Sequence, residues 1–324
     1  MFLVWGEFFF LLILVYIFGS SVAKSSDIIA EKKGWSRAFM GVVFISMVTS
    51  FPELFTGISA ASIVKSPEIS LGQIVGSCVF NLTIIAIIQI LFKKNKLFVK
   101  NSKSDCYPML FSFFLMFLFS FALIISLRVR VFNVGISSII IFTVYIVFLN
   151  KIFKNRKSDN NGDTRYENKS LSKAVFNFSI SSIVIIAVGF FLPVVGKELA
   201  MKMGWSDSFV GVIFLAFVTS FPELIVSLAS ARIGAFEMLL GNIAGSNMFN
   251  VAIIFVIDIF YFKGDIISDI SDKKIVFIGI IASVMNLLLF FMQKRGKSVK
   301  TFFLIPLNAI IILTLYLLSL VIIY

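Results

Sequence analysis

The 324-residue sequence predicts an all-α membrane protein: ten transmembrane helices in two inverted five-helix repeats, with helices 2 and 7 broken near the membrane midplane. Three observations carry that expectation. Hydrophobic residues make up 59% of the chain and mean hydropathy is +1.02, with apolar runs long enough to cross a bilayer. The stretch VTSFPEL at 48–54 recurs unchanged at 218–224. Each half holds five apolar runs, an odd number, so the second half enters the membrane from the opposite side and the repeat is inverted.

Taken in order, the runs cover about 2–23, 37–64, 69–92, 107–127, 131–152, 174–200, 207–231, 236–262, 274–292 and 301–323. The first resembles a signal peptide, with Ser21-Val22-Ala23 after an apolar stretch, but Glu7 precedes it and no Lys or Arg does, so it reads as a membrane helix. Runs 2 and 7 carry the first repeated motif: 34–54 and 204–224 agree at 14 of 21 positions, including Gly34-Trp35-Ser36 and Gly204-Trp205-Ser206. Runs 3 and 8 carry the second, GQIVGSCVFN at 72–81 and GNIAGSNMFN at 241–250. Between the halves, 153–173 is hydrophilic and too poor in apolar groups to fold alone. The domains are therefore 1–152, a linker at 153–173, and 174–324. Trp5, Trp35 and Trp205 fall at span edges as interface anchors, and the forty phenylalanines read as lipid-facing bulk and packing.

A net charge of +12 would suggest a nucleic-acid partner in a soluble chain, but here the basic residues cluster between apolar runs. With the N-terminus outside, the cytoplasmic loops hold 21 of the 29 Lys and Arg, which places both termini outside a cell membrane and the linker in the cytoplasm. Cys78 and Cys106 lie in no ligand spacing and read as free thiols. Histidine is absent, which removes the usual zinc ligand and the Ser-His and Cys-His catalytic arrangements. An enzyme is not expected, and neither is a cofactor.

Glu53 lies halfway along run 2 and Glu223 halfway along run 7. An ionised acid at the bilayer centre costs roughly 2.5 to 3.5 kcal/mol and needs a partner. No Lys or Arg sits at similar depth, so a bound cation is that partner. Pro52 and Pro222 remove a helix N–H and free the carbonyls of Val48 and Val218 within a turn of each acid. Thr49, Ser50, Thr219 and Ser220 add hydroxyls on the same turn. Ser77 and Asn81, like Ser246 and Asn250, are four residues apart and share a helix face. Gly72 and Gly76, with Gly241 and Gly245, allow close helix approach. The set is all oxygen and suits calcium and sodium equally. Each serine can instead bond its own backbone, and Asn81 and Asn250 can instead bridge helices. Glu68, Glu237 and Asp258 fall at span ends in hydrated or snorkelling positions, Lys197 and Glu198 are interfacial, and Asp265, Asp269 and Asp272 read as an exposed acidic loop.

These paired motifs resemble the two alpha-repeats of the cation/calcium exchanger superfamily, and the simple prokaryotic sodium/calcium exchangers in particular. The resemblance covers essentially the whole chain. It implies that Glu53 and Glu223 bind calcium with the carbonyls of Thr49 and Thr219. It further implies that Ser50, Ser77, Ser220 and Ser246 line sodium sites, that Asn81 and Asn250 complete the centre, and that Ser46 and Ala216 offer backbone oxygens. Val48 and Val218 stand where the signature has glycine, Gln73 replaces the first Asn, and Asn250 stands where several relatives carry Asp. The missing third acid argues against potassium co-transport.

The implied function is exchange of sodium for calcium by alternating access, with calcium and sodium ions and the lipid bilayer as partners and no nucleic acid. Protons are expected to compete at the two glutamates. A calcium/proton antiporter would use the same acids, and a passive channel would use them as a selectivity ring; the hydroxyl pairs beside each glutamate favour sodium. Oligomeric state and physiological direction stay open.

Overall fold

The computed structural model describes residues 2–92, 106–157, 165–203, 215–295, 301–302 and 305–323. The apolar runs fold as helices because, in lipid, each backbone N–H and C=O must be satisfied within its own segment. α1 spans Phe2–Lys33. The second run is subdivided into α2 (Arg37–Phe39), a π-helical stretch at Met40–Ile45, α3 (Ser46–Thr49), α4 (Phe51–Ser59) and a second π-helical stretch at Ala60–Val64. Then follow α5 (Pro67–Leu91), α6 (Tyr107–Ile125), α7 (Ile136–Lys154), α8 (Leu171–Lys202), α9 (Leu215–Thr219), α10 (Phe221–Arg232), α11 (Phe236–Ile259), α12 (Lys273–Arg295) and α13 (Leu307–Ile323).

Among the described residues, eight helices are long and apolar enough to cross a membrane, the subdivided Arg37–Val64 counted as one, and Leu307–Ile322 is a shorter apolar helix. The part of run 7 before α9, with Trp205 and most of the second copy of the 34–54 repeat, lies outside the described residues. Two hairpins of two residues per strand depart from the all-α expectation: Arg130–Val131 with Val134–Gly135, and Thr301–Phe302 with Ile305–Pro306. The chain is a mostly helical, multi-span membrane protein.

α5 and α11 form the centre and are buried all round, whereas Phe2, Phe9, Phe10, Ile13 and Ile17 of α1 stay exposed, as side chains facing lipid do. α11 reaches the subdivided run 2 through its glycines. A Cβ at Gly245 would meet the Val42 carbonyl oxygen at 2.5 Å, and one at Gly241 would meet that of Ala38 at 2.5 Å, so the backbones touch. On the other side Gly189 of α8 lies against the Pro52 ring.

Several expectations change. α1 runs ten residues past its predicted end because its polar residues find partners: Asp27 is fully buried and bonded to Arg37 and Tyr166. Trp35 is half-buried in the turn after α1 and packs on Phe39 and Phe44, with ring centroids 5.3 and 5.7 Å away. Asp258 is fully buried, neither hydrated nor snorkelling, and takes the Gly135 N–H at 2.8 Å and the Ile266 N–H at 2.9 Å, which ties the first hairpin to the loop after α11. Asp265 is also buried, not part of an exposed acidic loop; its Oδ1 caps the next turn through the N–H groups of Ile267 and Ser268. Asp269 and Asp272 are exposed as expected.

Candidate cation-binding site

The two runs that carry VTSFPEL break at the serine before Phe-Pro-Glu, and in the same way. Ser50 (φ −94°, ψ 8°) separates α3 from α4, and Ser220 (φ −85°, ψ 7°) separates α9 from α10. Pro52 and Pro222 sit at the starts of the second helices, where a missing N–H does least harm. Each break turns a Thr-Ser pair and the first-turn glutamate of the following helix towards the other half.

The hydrogen bonds are reciprocal between the halves. Ser50 Oγ donates to Glu223 Oε1 at 2.8 Å, and Ser220 Oγ donates to Glu53 Oε1 at 3.0 Å. Thr49 Oγ1 and Ser246 Oγ are 3.4 Å apart, as are Thr219 Oγ1 and Ser77 Oγ. The second oxygen of each carboxylate, Oε2, has no hydrogen-bond partner. No side chain of the twelve predicted site residues exceeds 4% exposure, so the cluster is closed to water. Among the described residues neither glutamate forms an ion pair, and no group of three or more Asp, Glu, Cys or His gathers. Two buried carboxylates held by neutral donors make a hard, oxygen-rich environment whose charge calls for a cation.

The remaining predicted residues are placed as follows. Asn81 Nδ2 donates to Asn247 Oδ1 at 3.2 Å while its Oδ1 is unpartnered, and both side-chain atoms of Asn250 are buried without a partner. The Ser46 hydroxyl bonds the Val42 carbonyl of its own helix. Its carbonyl accepts from Ser50 N–H and Thr49 Oγ1, and the Ala216 carbonyl accepts likewise from Ser220 N–H and Thr219 Oγ1, so both are engaged within their helices.

Three amides join the cluster that sequence reasoning did not select. Asn247 bridges the halves, donating to the Cys78 carbonyl at 3.1 Å while accepting from Asn81. Asn242 accepts from Thr49 at 3.4 Å and donates to Ser227 at 3.0 Å, and Gln73 donates to Thr56. All three lie inside the second motif, where an amide in an apolar helix is itself a signal.

Known proteins agree with this architecture. The family model described as sodium/calcium exchanger protein matches residues 3–151 and 173–324. An uncharacterised membrane protein of Methanocaldococcus jannaschii is 30% identical over 259 residues, 76% of this chain and 78% of that protein. The sodium/calcium exchanger MaX1 of Methanosarcina acetivorans is 27% identical over 265 residues, 71% of this chain and 75% of its own length. The sodium-calcium exchanger NCX_Mj soaked with 2.5 mM Na+ and 0.1 mM Sr2+ shares the fold, with a TM-score of 0.76 and 24% identity over 99% of this chain and 98% of that one. Fold and family together define a membrane transporter that exchanges cations. The chain belongs to the sodium/calcium exchanger protein family, within the cation/calcium exchanger superfamily that its motifs resemble.

Proposed function

We propose that the chain is a sodium/calcium antiporter working by alternating access, in which one central site holds either one calcium or a set of sodium ions. What carries this reading is the crossed pair Ser50–Glu223 and Ser220–Glu53, which joins two buried acids into one cluster and leaves an oxygen free on each. Glu53 and Glu223 bind calcium, assisted by the carbonyls of Thr49 and Thr219. Ser50, Ser77, Ser220 and Ser246 line sodium positions, Asn81 and Asn250 complete the centre, and Ser46 and Ala216 offer carbonyls when their helices unwind. Sodium and calcium are the ions in the names of two similar proteins, MaX1 and NCX_Mj, which supports the pairing here.

In this proposal ten spans form two inverted halves, 1–152 and 174–324, with both termini outside and the linker 153–173 in the cytoplasm. α1 and α8, whose outer surfaces are apolar, move against the helices that carry the site. Only a charge-compensated site crosses the membrane, because two naked carboxylates at the midplane are too costly.

The test is uptake of radioactive calcium into proteoliposomes loaded with sodium and diluted into sodium-free buffer. Uptake should require the sodium gradient and fall at least 100-fold in Glu53→Gln and Glu223→Gln. Uptake driven equally by an outward proton gradient without sodium would assign the proton antiporter, and uptake needing neither gradient would assign a channel.

A further inference from the structure

The alternating-access reading requires α1 and α8 to move past the helices that bear the site, and the linker is bonded to both bodies. We propose that residues 165–170 are a strap that fastens α1 to the turn between α10 and α11, and that it must release in each transport cycle.

The anchored side of the strap is dense. Backbone N–H groups of Arg165 and Tyr166 donate to the two Glu31 oxygens at 3.1 and 2.7 Å, and Lys32 Nζ donates to the Glu167 carbonyl at 2.7 Å. The Tyr166 hydroxyl donates to Asp27 Oδ2 at 2.9 Å; Asp27 is fully buried and also takes Arg37 Nε at 2.5 Å. Below these bonds Tyr166 and Leu171 pack on Ile28, Ile29, Met40 and Ala174. The Glu31 and Lys32 bonds root the strap on α1 alone, whereas Arg37 and Met40 lie on the second run, so the Asp27–Arg37 pair belongs to the same boundary and must also give way when α1 moves.

The other side is one bond. Arg165 Nη1 donates to the Ile233 carbonyl at 2.6 Å, at the C-terminal cap of the helix that carries Glu223. The same Nη1 lies 3.9 Å from Asp27 Oδ2, so the guanidinium keeps a carboxylate on the anchored side when it leaves Ile233, and at 52% exposure water replaces that carbonyl at little cost. Arg232 of the same helix end donates to the Tyr16 hydroxyl of α1 at 3.1 Å, a second exposed tie across the same boundary. A segment that only joined the halves would need contacts with neither body. This one is rooted in α1 and hooked to α10 at a releasable point.

The experiment fastens the hook permanently. In the full chain, Arg165→Cys and Ile233→Cys are joined by a short bifunctional thiol reagent cleavable by reductant, in proteoliposomes. Sodium-driven calcium uptake should fall at least tenfold on cross-linking and return on reduction; uptake at full rate while cross-linked overturns the proposal. A second measurement needs no transport. Met40→Cys, at a site 1% exposed beneath Tyr166, is labelled with a maleimide alone and combined with Arg165→Ala and Tyr166→Phe. The rate should rise at least fivefold without the strap contacts, and an unchanged rate overturns the proposal. If the two-cysteine chain does not exchange before cross-linking, the exchange reading has failed and the Met40 labelling decides the strap by itself.

Discussion

At the scale of single residues the site is built from equivalent parts, and equivalent substitutions should cost the same. Ser50→Ala and Ser220→Ala each remove one hydrogen bond to a carboxylate, about 1.5 to 3 kcal/mol. Calcium binding in equilibrium dialysis should weaken by roughly 10- to 100-fold in either variant. Ser46→Ala, whose hydroxyl serves only its own helix, should change binding by less than about threefold. Thr49, Ser50 and Glu53, with Thr219, Ser220 and Glu223, were legible because they recur in identical seven-residue motifs, and Ser77 and Ser246 because they keep one place in the second motif. Gln73, Asn242 and Asn247 were not, since comparing the copies keeps what repeats: position 73 is Gln against Asn242, and Cys78 stands opposite Asn247. Asn247→Ala should therefore impair exchange and lower thermal stability together, because it bridges two helices of different halves.

Elements differ in how far their sequence foretold them. Where polar residues stop an apolar run at water, the predicted ends hold within a few residues, as for α5 and α6. The predicted end of α1 fails because Asp27 is charged yet buried against Arg37 and Tyr166, and hydropathy registers polarity without seeing the partner. Asp258 misled for the same reason: its two amide donors come from a hairpin over a hundred residues away and from its own following loop. The glycines separate sharply. A Cβ at Gly245 would press on Val42 and Ser46 of the facing helix, so Gly245→Ala should lower stability by about 1 to 3 kcal/mol. Gly72→Ala, which would meet only Ile275 Cδ1 at 4.0 Å among the described residues, should be neutral or slightly stabilising. Thermal denaturation of the detergent-purified variants checks both.

The molecule as a whole is held at its loop face by two buried acids with no cationic partner in ion-pair reach among the described residues. Burial, and secondarily the charge of Asp258, push the Asp265 carboxyl above the usual carboxylate range, against the opposing N–H bonds of Ser268 and Ile267. The folded chain thus keeps this proton to higher pH than the unfolded chain. Stability from this group is present below the ordinary aspartate value near 3.9 and is lost as pH rises from there through the raised native value. Asp265→Asn should flatten that decline in apparent melting temperature and leave the chain more stable at pH 7. The crossing of the serines at the site has a different kind of consequence. Neither half owns its acid's donor, so the cluster behaves as a two-key lock: parting the halves forfeits both serine–carboxylate bonds at once. At about 1.5 to 3 kcal/mol each, that is roughly a 10²- to 10⁴-fold penalty on any state split down the middle. The two bonds therefore fail together or hold together, and that coupling keeps the two broken helices in register across the cluster.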